Sequence, residues 1–295
     1  MKNIHKILTL MMAVLVLSSC EKNVVGLDAE QIDESTPQYQ VFNMVPLPAG
    51  TANTVNKMEV NGTIMTNETT PMAPFNFLPG PSSVVNANRF FATNETNINI
   101  KLYRGAATNL TLSYDQNASL QPGKQSLFIH DFNQPPINIP FPMPLPQIVS
   151  EDTGTAAWIR FINLMYESPG VPTTLRLQYQ WQYTTDNETG DKSAWLNLGQ
   201  PVAFGEATGW EQIVVNKVVE ASAGDARIDY RVRLIGADGS DQGPLQVRNS
   251  TGSLVDYTDW WTGNIGRVYS HVFAGYRDVN ASATPGVAVR QSWVR

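Results

Sequence analysis

The sequence predicts an all-β fold: two tandem antiparallel β-sandwich domains of Ig-like or transthyretin-like type. Charged residues make up only 16% of the chain, while 21 Gly and 19 Pro punctuate it; about a quarter charged is usual, and this balance suits strands and turns better than helices. Leu175, Leu177, Tyr179, Trp181 and Tyr183 occupy every second position, with Arg176, Gln178, Gln180 and Gln182 between them. That is the period of a strand with one apolar and one wet face. Shorter strand-like runs recur at 98–103, 110–114, 127–132, 228–235 and 268–273. One short helix is expected over 213–221.

The chain opens with the parts of an export signal. Lys2 and Lys6 supply a positive start, 7–17 an apolar run too short to span a bilayer, and Leu17-Ser18-Ser19-Cys20 a small-residue processing site. This stretch resembles the lipobox of bacterial lipoproteins, where an apolar residue stands three before the acylated Cys. The resemblance implies cleavage of residues 1–19, lipidation of Cys20 and a place on the outer membrane, at its periplasmic face or the cell surface. Cys20 is the single cysteine, so no internal disulfide can form. Lipidation gives it a purpose, each buried CH2 contributing about 0.8 kcal/mol to membrane attachment.

Residues 20–37 read as a tether, polar and carrying Glu21, Asp28, Glu30, Asp33 and Glu34 without a sustained period. Removing Lys2 and Lys6 with the signal leaves 18 basic against 26 acidic residues, a net charge of −8. A nucleic-acid partner is excluded on that balance, since it would need a basic face. About 275 mature residues suit two domains, expected at 38–134 and 155–295.

Two signposts recur in the same order and suggest duplication. Tyr39-Gln40-Val41-Phe42-Asn43 matches Ile159-Arg160-Phe161-Ile162-Asn163, each running into a proline-bearing loop. Leu127 to Phe132 matches Val268 to Phe273, each after a glycine turn, and this alignment pairs His130 with His271. Between the copies, 135–154 carries six prolines, whose missing N–H groups disfavour a central strand and favour an extended linker.

The opening strand of the second copy, Ala156-Ala157-Trp158-Ile159-Arg160-Phe161-Ile162-Asn163, followed by Ser168-Pro169, is similar to a domain-of-unknown-function family found in tandem in secreted bacterial lipoproteins. Leu120-Gln121-Pro122-Gly123-Lys124 looks like that family's closing turn; the second copy has Gly263-Asn264-Ile265-Gly266-Arg267 instead. The resemblance implies a β-sandwich in the cell envelope and carries over no functional residue.

Catalytic signatures are missing. There is no Gly-x-Ser-x-Gly elbow and no glycine-rich phosphate loop before a helix. His130 and His271 stand too far apart for a local zinc motif and read as hydrogen-bonded core or boundary residues. Gly236 to Asp241 reads as a hairpin turn, with Asp-Gly favoured there for its backbone geometry. No metal, cofactor or enzymatic activity is expected. The most suggestive cluster is Tyr257, Asp259, Trp260 and Trp261, since sugar rings stack on indole while their hydroxyls need polar partners; alternation along a strand would instead put one Trp in the core and one outside. The expected function is a non-catalytic binding or scaffolding module held to a membrane by its lipid, with a glycan or another envelope protein as partner. Alternatives are a glycan-binding lipoprotein of a polysaccharide uptake system and a fimbrial or adhesin subunit.

Overall fold

The computed structural model describes residues 33, 35–66, 71–80, 89–142, 156–186, 188–215 and 225–294. Cys20 and the export signal lie outside the described residues. The first half contains β1 (Gln38–Asn43), β2 (Val55–Val60), β3 (Thr63–Ile64), β4 (Asn76–Leu78), β5 (Phe91–Ala92), β6 (Asn97–Arg104), β7 (Thr111–Ser119), β8 (Lys124–Ile129) and β9 (Ile137–Pro140). The second contains β10 (Ala156–Ser168), β11 (Val171–Pro172), β12 (Arg176–Tyr183), β13 (Leu196–Asn197), β14 (Glu211–Val214) and β15 (Asp225–Ile235). It continues with β16 (Asp241–Pro244), β17 (Gln246–Arg248), β18 (Leu254–Asp256), β19 (Thr258–Asn264), β20 (Val268–Tyr276) and β21 (Ala288–Val294).

The all-β class holds, and the strands stack in layers. An outer sheet β3-β2-β6-β7 faces an inner sheet β4-β1-β8-β9, to which β5 adds beside β1. A second inner sheet, β11-β10-β20-β21 with β14 on β10, faces a second outer sheet, β13-β12-β15-β16 with β19 on β15. Each inner–outer pair closes its own core: Val41, Met58, Ile100 and Leu127 in the first half, Phe161, Tyr179, Ile228 and Phe273 in the second. A third core joins the halves, with Phe42, Phe77 and Phe128 meeting Ile162, Leu164 and Val272. The inner sheets are therefore covered on both faces.

That coverage explains their strands. β8 is buried from Gln125 to Ile129 and β20 from Val268 to Gly275, without the alternation seen in β12. In each half the opening strand lies parallel to a late one, β1 on β8 and β10 on β20. Parallel pairs are characteristic of strands buried on both sides, where apolar runs become continuous.

Register corrects the sequence alignment of the copies. Asn43 pairs with Ile129 and Asn163 with Phe273, so equating the two asparagines puts His130 level with Ala274. His271 corresponds to Leu127, since Val41 pairs with Leu127 and Phe161 with His271. The histidine-to-histidine alignment is three residues out, because strands buried on both faces carry no apolar period to fix the offset. The helix expected from 213 is corrected too: Ile213 and Val214 lie in β14, paired with Ala157 and Ala156, and Ile213 enters the core. Residues 216–221 of that segment lie outside the described residues.

β9, from the proline-rich segment, is an edge strand that pairs, among the described residues, only with β8, a position where the missing N–H of Pro140 can face away from the ladder. Beyond it the halves are pinned by Arg160, which is 2% exposed. Its Nε donates to Ser270 Oγ at 2.9 Å and its Nη1 to the Pro140 carbonyl at 2.8 Å. The guanidinium also lies 4.5 Å from the Phe141 ring centre and 4.7 Å from that of Trp210. Burial lowers its pKa to about 9.

Candidate functional site

The four residues singled out in the sequence do not form one cluster. In β19, Asp229 pairs with Trp260 and Ile228 with Trp261, and the pleat sends adjacent side chains to opposite faces. Trp261 is 5% exposed and packs edge-on against Tyr269 and His271, at 4.5 and 4.8 Å between ring centres. Tyr257 is also in the core, its hydroxyl 3.1 Å from that of Tyr230; burial pushes its pKa up to about 12. Asp259 is at the surface, accepting from the Tyr230 hydroxyl at 3.2 Å and from the Trp260 backbone N–H at 2.8 Å. Trp260 stands outside, 51% exposed.

Trp260 belongs instead to the wet face of the second outer sheet. The alternation of β15 puts Arg227, Asp229, Arg231 and Arg233 on that face, opposite the inward Ile228, Tyr230, Val232 and Leu234. Cross-strand pairing sets Gln182 beside Asp229 and Gln180 beside Arg231. Trp260 lies over the Arg227 guanidinium at 4.7 Å, and Trp195, from the segment before β13, lies over Arg231 at 4.3 Å. Arg227 Nε donates to Asp229 Oδ1 at 2.9 Å, and Lys192 pairs with the other oxygen of that carboxylate. Burial alone would raise the Asp229 pKa, but the hydrogen bonds from Lys192 and Arg227 outweigh it and hold the carboxyl below its ordinary value. The group is an anion that fixes both cations.

Trp195, Arg227 and Arg231 were missed by reading the aromatic cluster alone. A signal was present: Arg227, Arg231 and Arg233 follow the same two-residue period as the apolar residues between them, which marks a built outer face rather than scattered charge.

The histidines are in different settings. His271 is fully buried, its Nδ1 3.1 Å from the Tyr179 hydroxyl, and burial lowers its pKa to about 3. His130 sits where the halves meet, its Nδ1 2.7 Å from the Tyr166 hydroxyl and its ring edge-on to Phe204; burial lowers its pKa, against a smaller opposing pull from Asp131. Also at this junction is an open groove of about 780 Å³ bordered by Pro140, Arg160, Arg176, Glu206 and Trp210. Its most buried charge, Arg160, is already engaged by both halves.

Asp238 closes the β15–β16 turn, accepting from the Ser240 N–H at 3.0 Å and hydroxyl at 2.6 Å. Among the described residues no group of three or more His, Cys, Asp or Glu side chains is arranged to hold a metal ion, and no helix is long and apolar enough to cross a membrane. What the wet face offers is recognition chemistry: indole planes, guanidinium donors and amides on a rigid sheet. No family model matches this chain, and no curated protein matches it.

Proposed function

We propose that this chain is a cell-envelope lipoprotein, anchored to the outer membrane through Cys20, that works as a non-catalytic binding module. The observation that supports the reading is the wet face of the second outer sheet, where the exposed Trp260 and the half-buried Trp195 are each held against an arginine. Aromatic planes fixed before a ligand arrives reduce the ordering cost of association. Partnered by Gln180 and Asn197, they favour a glycan over an apolar protein patch, because ring C–H faces stack on indole while hydroxyls need polar groups.

Two experiments test the reading. Protease accessibility and antibody staining of intact cells, comparing the wild type with Cys20→Ala, should give membrane attachment that the variant loses; unchanged attachment would remove the lipid anchor. Affinity gel electrophoresis over a polysaccharide panel should show retardation weakened by Trp260→Ala. Retardation indifferent to that change would remove the glycan, and turnover in a broad hydrolase screen would overturn the non-catalytic assignment.

A further inference from the structure

The wet face of the second outer sheet carries two stacks of the same design. In one, Trp260 covers Arg227, which is held by Asp229, which is held by Lys192. In the other, Trp195 covers Arg231, whose Nε donates to Gln180 Oε1 at 2.8 Å, and Gln180 Nε2 donates to Asn197 Oδ1 at 2.7 Å. The stacks differ in what holds the guanidinium. Arg227 is tied to a carboxylate and Arg231 to a neutral amide. The neighbouring Arg233 is paired with Asp241 at 2.8 Å. Among the described residues, Arg231 has no carboxylate within ion-pair distance, Asp241 acting on it only from further away, and Lys192 and Arg227 share the one carboxylate of Asp229, so the face carries net positive charge on a net-negative protein.

From this asymmetry we infer that the face takes an acidic polysaccharide, with a uronate carboxylate on Arg231 and neighbouring sugar rings on Trp195 and Trp260. The inference rests on the glycan reading proposed above and names its class. A carboxylate is a planar anion that a guanidinium can meet with two parallel hydrogen bonds. Arg227 and Arg231 are four residues apart on one strand, about 13 Å, a span for several linked rings rather than one. A densely charged polyphosphate is disfavoured, since Asp229 and Asp241 border the same stretch. The ligand therefore carries its acid groups at intervals. All seven tryptophans lie in the second half. On the first outer sheet, Lys57 lies over the Tyr103 ring while the Tyr103 hydroxyl donates to Glu59, so that aromatic is engaged by its own neighbours. Recognition is assigned to one copy of the duplicated plan.

The test uses the full chain purified in detergent, with polygalacturonate, alginate and methyl-esterified polygalacturonate as gel-borne probes. Expected are stronger retardation by an acidic form than by the ester, about tenfold loss of that acidic binding in Arg231→Gln with ester binding unchanged, and loss of both in Trp260→Ala. Lys101→Gln, which removes a surface cation of the first half paired with Asp115, should bind like the wild type. Equal retention of acid and ester, or acidic binding untouched by Arg231→Gln, would overturn the acidic class while leaving the glycan reading in place. No retention by any of these probes or by the wider polysaccharide panel, with near-ultraviolet circular dichroism showing a packed protein, would overturn both.

Discussion

Trp260 and Trp261 are consecutive in the chain and sit on opposite sides of one sheet, the first over Arg227 in solvent and the second against His271 in the core. The pleat makes their roles separable. Trp261→Ala should lower unfolding free energy by about 3–5 kcal/mol, the range for emptying a large aromatic site. Trp260→Ala should change it by less than about 1 kcal/mol, losing an exposed cation–π contact. Urea denaturation of the two variants checks this; equal losses would mean that Trp260 is a packing residue.

His271 should make the protein acid-sensitive in a defined window. Its ordinary pKa of 6.5 falls to about 3 on burial, so the unfolded chain binds a proton that the native core refuses. The stability associated with the neutral ring is present above about pH 6.5 and is lost as pH falls towards 3, at up to about 1.4 kcal/mol per pH unit. His130, lowered in the same direction, adds to the trend. His271→Leu, which installs the residue found at the equivalent place in the first half, should flatten the slope. Parallel pH profiles for variant and wild type, measured by urea denaturation between pH 7 and 4, would refute this account.

Arg160→Met removes the bonds to Ser270 and Pro140 and leaves the buried Ser270 hydroxyl and the Pro140 carbonyl without that donor. About 2–4 kcal/mol of destabilisation is expected from those unmet groups. The sign is informative, because exchanging a buried charge for an apolar side chain of similar volume is sometimes neutral. A variant as stable as the wild type in calorimetry would show that apolar packing alone joins the halves.

Gly275 has φ +130°, and a Cβ there would strike the carbonyl of Gly286. Gly275→Ala should therefore destabilise by roughly 2 kcal/mol or more, whereas Gly239→Ala, strained in φ but facing open space, should lose less. Thermal melts of the pair measure the difference.

Legibility from sequence followed burial geometry. β12 announces itself because one face is wet, and the β15–β16 turn because Asp238-Gly239 needs a conformation few residues take readily, φ +82° at Gly239. β10 and β20 were recognisable as strands, yet their pairing offset was not, since both of their faces are buried and no wet face marks the register. The Trp cluster was half legible: alternation separates Trp260 from Trp261, but Trp195 approaches from outside the strand pattern, and only the tertiary fold lays it on Arg231. The two-residue period of the β15 arginines was visible, and its meaning depended on which indoles would cover them.

The parallel pairing of first and late strands also has a temporal meaning. β1 cannot be completed until β8 is available, and β10 must wait for β20, separations of the kind that slow folding because long loops close before any contact rewards them. A chain ending before residue 268 would lack the strand that flanks β10 and would leave Phe42 and Phe128 without the Val272 side of their shared core. The last strands to emerge are thus the ones that finish the middle of the molecule, so loss of the C-terminal segment should be felt at the start of the fold, as exposed aromatic surface on the first half.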